Sequence, residues 1–240
     1  AEEELPRIVA NLYEIKSKGG RRNARIEALH DSTAVWYAER KTPTTRAVWT
    51  GFGRGGRDDP PHTFGTGFPV PSIQVVQDHG AVEIMRGCPQ GCRFCHAGVL
   101  YRPYRMKTIE AIVDEVRWMV EVQGYHEISL SSLSTGDYGD LIALVRRLNE
   151  EFSARGVSFS LPSLRVNSVT LPILEAISVG KRSGLTFAVE SASERSQRSI
   201  NKIVPLEKVI EIARDARERG WRHAKLYFMI GLPVDNGVDE

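Results

Sequence analysis

Cys88, Cys92 and Cys95 are the three cysteines of this 240-residue chain, and they fall in one short stretch, Cys88-Pro89-Gln90-Gly91-Cys92-Arg93-Phe94-Cys95. A C-x3-C-x2-C loop supplies three thiolates from a single turn of backbone. Thiolates in such a cluster hold iron–sulfur centres or zinc. A cubane cluster ordinarily takes four cysteines, so three leave one iron open to an outside ligand. Zinc in a Cys3His set is the competing chemistry, with His96 as the fourth ligand. Adjacent Cys95 and His96, however, would struggle to reach two corners of one tetrahedron. A disulfide framework is disfavoured by the odd count and by a length that can build a core without staples. A purely electron-relaying cluster would need its fourth ligand from elsewhere.

The elements that must position this loop follow from periodicity. From Ala81 onward, strand-like and helix-like segments alternate, the pattern of a parallel α/β sheet. Val82–Met85 is a strand running into the cysteine loop. Thr108 caps a helix with Ile109, Ile112, Val113, Val116, Met119 and Val120 at helical spacing, ended by Gly124. His126–Ser132 is the second strand, and Leu141, Leu144, Val145, Leu148 and Phe152 mark the second helix. Ser158–Leu164 is the third strand, and a third helix opens at Thr170 before Pro172. Gly184–Glu190 is the fourth strand. A helix on Leu206, Val209, Ile210, Ala213 and Ala216 leads to the fifth, Ala224–Ile230, and the turn Gly231-Leu232-Pro233. These βα units imply a partial barrel of the TIM type, whose active site gathers where the strands end. The cysteine loop, the Ser131–Tyr138 segment, Leu161–Asn167, Glu190 and the Ile230-Gly231 turn all fall at such ends.

Residues 1–72 read as an N-terminal extension and linker, and 73–240 as the barrel domain. The extension combines a helix at Leu5–Lys16, a basic turn Gly19–Arg22, and two strands, Ala34–Tyr37 and Arg46–Trp49. Gly51–Gly67 is loop-like. The net charge of +2 gives no case for a nucleic-acid surface. No run approaches the roughly 18 apolar residues of a membrane span. No basic leader precedes the acidic start. Clustered free thiols point to a reducing compartment, the cytoplasm. The chain starts without Met and ends abruptly at Glu240, as expected for a segment of a longer protein.

The loop, with Phe94 just before the last cysteine, resembles the signature of the radical S-adenosylmethionine (SAM) enzymes. The string Glu83–Cys88, Cys95-His96-Ala97-Gly98 and Tyr101-Arg102-Pro103 is similar to one branch of them. That branch carries a cobalamin-binding domain upstream and is related to the methylthiotransferases. The resemblance runs from about residue 70 to Pro233. It implies a 4Fe–4S cluster on Cys88, Cys92 and Cys95, and reductive cleavage of SAM to a 5′-deoxyadenosyl radical. It also implies a sixth βα unit beyond Glu240 and a reductant such as flavodoxin or ferredoxin.

The resemblance further implies roles for single residues. Ser132 and Ser134 stand where relatives bind the SAM amino group, although a Gly-Gly-Glu-like motif is missing here. Arg165 is placed to pair with the SAM carboxylate. Glu190 occupies the ribose position. Ile230 and Gly231 form an adenine wall, with backbone near Phe94 completing it. Each residue also has a plainer expectation. Asp137, Ser191 and Ser193 would serve as helix caps, Arg165 as a surface residue, Arg86 and Arg93 as solvated charges, and Leu226–Ile230 as a core strand. Tyr101–Arg105 covers the loop, touches substrate, or is a plain stack of Arg and Tyr at a surface helix entry. Ile200-Asn201-Lys202 matches the branch without a chemical role. Cobalamin would have to bind a domain outside this segment, because no Asp-x-His-x-x-Gly loop is present. Methylthiotransferase activity is disfavoured, since its N-terminal domain needs three more cysteines that residues 1–87 lack.

Overall fold

The computed structural model describes residues 4–30, 73, 75–76, 78–168, 172–173 and 185–232. The chain divides into two compact units, Ala1–Phe52 and Gly53–Glu240. The described part of the first unit is two helices, α1 (Glu4–Ser17) and α2 (Arg22–His30), packed against each other. The expected helix over Leu5–Lys16 is present. The second helix begins at Arg22, inside the expected basic turn. The strands expected at 34–37 and 46–49 lie outside the described residues.

The second unit is α/β, with its described strands mostly parallel. β1 (Gly80–Glu83), β4 (Glu127–Ser131) and β5 (Ser158–Ser160) form one parallel sheet in the order β1-β4-β5. Its register pairs Gly80 with Ile128, Glu83 with Ser131, and Glu127 with Ser158. β6 (Leu185–Glu190) and β7 (Ala224–Phe228) form a separate parallel pair. This is the expected partial barrel, unclosed among the described residues. The third helix falls outside them, apart from Pro172 and Ile173, which are helical.

The helices form for the reasons their spacing implies. In α4 (Ile109–Glu121), Ile112, Val113, Val116 and Met119 are buried, and the Thr108 hydroxyl accepts from the Ala111 amide at 3.2 Å. In α5 (Leu141–Phe152), Leu141, Leu144, Val145, Leu148 and Phe152 line the buried face. The Asp140 carboxylate accepts from the Ala143 amide at 3.1 Å and caps that helix. These stripes meet Val82, Ile84, Ile128 and Leu130 in one apolar core. Fully burying such side chains contributes about 1.5–3 kcal/mol each, so the core fixes where each strand ends.

Three features differ from the sequence expectations. The first strand is interrupted: β2 (Met85–Arg86) leaves the sheet and pairs antiparallel with β3 (Arg105–Met106). The Ile84 amide donates to the Ser131 carbonyl and its carbonyl accepts from Lys107, which spreads one strand over two partners. The third strand is shorter, because the chain turns at Ser163 with φ of 60° before a 3-10 turn at Val166–Ser168. β7 is exposed along its length, not a core strand, because among the described residues it pairs with β6 alone.

Candidate functional site

The cysteine loop follows β2 and runs into the short helix α3 (His96–Leu100). Gly87 opens it with φ of 82°, and a Cβ there would stand 2.6 Å from the Tyr101 carbonyl oxygen, so only glycine fits. All three cysteines are free and partly buried. Each sulfur faces an N–H donor. The Gln90 backbone amide donates to Cys88, the Arg165 guanidinium to Cys92 at 3.3 Å, and the Gly98 amide to Cys95 at 3.3 Å. Burial pushes the Cys88 thiol above its ordinary value, against the pull of the Gln90 amide; the nearby Asp137 and Cys92 charges add to the rise.

Donors aimed at sulfur suit metal-bound thiolates, since hydrogen bonds to the sulfurs set cluster potential. Among the described residues, no three His, Cys, Asp or Glu side chains converge as ligands of a single ion, and His96 is exposed. A Cys3His zinc site needs such convergence. Three thiolates, each beside an N–H donor, are a donor set that a cubane takes on separate irons.

Neighbouring strand ends grip the loop. The Gln90 side-chain amide donates to both Asp137 oxygens at 3.0 Å. Ser134 donates to the same carboxylate at 2.6 Å, and Ser132 bonds Thr135 at 2.9 Å. Asp137 is therefore a tie to the cysteine loop and not the expected helix cap; Asp140 does the capping. The Tyr104 hydroxyl reaches the Asp137 carbonyl at 3.1 Å, which pins the segment after the loop to the same turn. Arg86 pairs with Glu83. Arg93 is not a loose charge either, since its guanidinium donates to the Arg198 and Ser199 carbonyls.

The fourth strand end forms the other side. Glu190 ends β6 with φ of 71° and is 8% exposed. Its carboxylate accepts from Lys202 at 2.7 Å, and the same ammonium lies 6.0 Å from the Phe94 ring centroid. Ser193 caps α6 (Glu194–Ser199) through the Ser196 amide, as expected. The Met229 amide donates to the Glu190 carbonyl at 2.7 Å, which sets the turn after β7 beside Glu190. Ile230 in that turn is 85% exposed, and Gly231 follows with φ of 76°.

Cys92 and Arg165 are thus in contact, Glu190 and Phe94 meet around Lys202, and Ser134 reaches the loop through Asp137. Sequence reasoning missed Gln90, Asn201 and Lys202 as members of this constellation. Position beside the cysteine motif was the one available signal for Gln90. The Ile200-Asn201-Lys202 string had been singled out without a role.

A loop of three supported thiolates at the strand ends of a parallel α/β unit is the architecture of one enzyme class. The family model of the radical SAM superfamily matches residues 82–239, and the chain belongs to that superfamily. An uncharacterized protein of Methanocaldococcus jannaschii is 30% identical over 175 residues, 70% of this chain and 38% of that protein. The ribosomal protein uS12 methylthiotransferase RimO of Elusimicrobium minutum is 31% identical over 111 residues, 44% of this chain and 26% of that protein. Among solved structures, the radical SAM methyltransferase TsrM of Kitasatospora setae, with tryptophan substrate and a SAM analog bound, matches with a TM-score of 0.57. At 13% identity over 67% of this chain and 32% of that one, it shows a likeness of fold. The chain spans well under half the length of these relatives. No helix among the described residues is long and apolar enough to cross a membrane.

Proposed function

We propose that this segment holds one 4Fe–4S cluster on Cys88, Cys92 and Cys95 and cleaves SAM reductively on the iron those cysteines leave open. The observation that carries the reading is the loop in which every sulfur faces its own N–H donor. When bound, the cluster supplies the electron that splits SAM to a 5′-deoxyadenosyl radical. The protein's share is placement and protection of the reacting groups. Ser132 and Ser134 accept the SAM ammonium, Arg165 pairs with its carboxylate, and Glu190 accepts from the ribose hydroxyls. Phe94 backbone, Ile230 and Gly231 border the adenine.

Residues 1–72 stand as an extension to the barrel domain at 73–240. A flavodoxin or ferredoxin supplies electrons in the cytoplasm. Cobalamin, bound in another structure of TsrM, would enter through a separate domain.

The test is anaerobic loading of the full-length protein with iron and sulfide, then reduction with SAM and mass spectrometry of the products. Iron and sulfide in the ratio of one cubane per chain, with 5′-deoxyadenosine formed, are expected. Replacing Cys92 with Ala should abolish both. Stoichiometric zinc in a colourless protein would overturn the proposal in favour of a zinc module. A cluster that never cleaves SAM would overturn it in favour of an electron relay.

A further inference from the structure

The turn after α6 joins two parts of the site, the cysteine loop and Glu190. The Asn201 side-chain amide donates to the Gly91 carbonyl at 2.9 Å, within the cysteine loop. A Cβ on Gly91 would come 3.0 Å from that nitrogen, so the close approach uses the missing side chain. The Arg93 amide donates back to the Ile200 carbonyl at 2.9 Å. Asn201 itself has φ of 55°, a conformation that asparagine tolerates better than most residues.

One residue further on, Lys202 turns inward. It is 8% exposed, and its ammonium meets the Glu190 carboxylate at 2.7 Å beside the Phe94 ring. Lysine is almost never buried without a partner, and a buried ion pair is weak evidence for stability in itself. Glu190 adds left-handed backbone at an irregular point of the β6–β7 register. Non-glycine residues persist there only where the surroundings over-determine them, and such residues cluster at functional sites. Gln197 provides part of that support: its side chain donates to the Ser191 carbonyl at 2.7 Å and accepts from the Val204 amide at 2.8 Å. The turn is thereby fixed to the end of β6.

Resting on the function proposed above, we infer that Lys202 is a positioning residue for the nucleoside part of SAM. It holds the Glu190 carboxylate in the orientation that receives a vicinal diol, and Asn201 ties that carboxylate's position to the cysteine loop. A cofactor bridging cluster and ribose pocket needs the two held at one spacing, and the adjacent residues 201 and 202 hydrogen-bond one to each. Lys202 acts through Glu190, so the two should not contribute independently.

The experiment is a double-mutant cycle on SAM affinity, in the full-length protein loaded with iron and sulfide, using K202M, E190Q, E190Q/K202M and K202R. K202M should weaken SAM by about tenfold to a hundredfold at unchanged cluster content, the loss expected for one charge-assisted hydrogen bond. E190Q/K202M should bind within about threefold of E190Q alone, because coupled residues are non-additive. K202R, which keeps the cation, should recover most of the loss. If K202M fails to take up a cluster, E190Q/K202M buries no lone charge and carries the same comparison with E190Q. A K202M affinity equal to wild type, or losses that multiply in the double variant, overturns the inference and leaves the proposed function standing. Wild-type protein that binds no SAM overturns both.

Discussion

Replacing Asp137 with Ala removes the acceptor that ties the cysteine loop to the turn after β4. Two donors lose their partner: the Gln90 amide, held at 3.0 Å from both oxygens, and the Ser134 hydroxyl at 2.6 Å. Hydrogen bonds to a charged group contribute about 1.5–3 kcal/mol each. Gln90 and Asp137 are only partly buried, so water recovers a share of that in the variant. A net cost of about 2 kcal/mol to the local order of the loop follows, roughly thirtyfold in its opening equilibrium. Hydrogen exchange followed by mass spectrometry reads this directly in the metal-free protein. Peptides spanning Gln90–Cys95 should lose about thirtyfold in protection, whereas peptides of α5 should keep theirs. D137N, which retains one oxygen for Gln90, should lose less. Unchanged exchange across the loop in D137A would refute the reasoning and would mean that the Arg93 and Asn201 contacts alone order it.

Other consequences are open to simple assays. Because burial raises the Cys88 thiol above its ordinary value of 9.0, alkylation of Cys88 in the metal-free protein should keep accelerating above pH 9; a plateau below that would contradict the burial. G87A should destabilise the second unit by about 1–3 kcal/mol in urea and prevent cluster loading, since it combines a φ of 82° with a backbone clash. Tyr138, whose hydroxyl donates to the Lys107 carbonyl at 2.8 Å, is pushed up to about 12, chiefly by burial. Its folded value lies above the unfolded one, so its contribution is whole below about pH 10 and lost as pH rises through about 12. The loss is on the order of 2 kcal/mol. Y138F should lack that alkaline decline; an identical decline in both proteins would assign it to other groups.

Much of the barrel was legible because its periodicities are long and local. Val113, Val116, Leu144 and Leu148 recur at helical spacing over three turns, and each is buried. The cysteine motif was legible because its chemistry is carried by contiguous residues. What escaped depends on pairings distant in sequence. Nothing near Met85 says that it will leave the sheet to pair with Met106, and β7 carries a core-like string that finds one neighbouring strand among those described. The site shows the same division. Gln90 and Asp137 are 47 positions apart and Gly91 and Asn201 are 110 apart. Amides and short polar side chains of this kind are common in any loop, so only the fold reveals which of them meet. Lys202 had no role to be read from the sequence, because its partner Glu190 lies 12 positions away and only burial brings the two together.

An iron left open for SAM by a loop of three cysteines is what separates the proposed enzyme from a zinc module or an electron relay. Electron paramagnetic resonance of the reduced, cluster-loaded full-length protein, with and without SAM, tests it most directly. A 4Fe–4S signal whose g-values shift when SAM is added is the result expected here. A 4Fe–4S signal indifferent to saturating SAM, or no iron–sulfur signal at all, would contradict it.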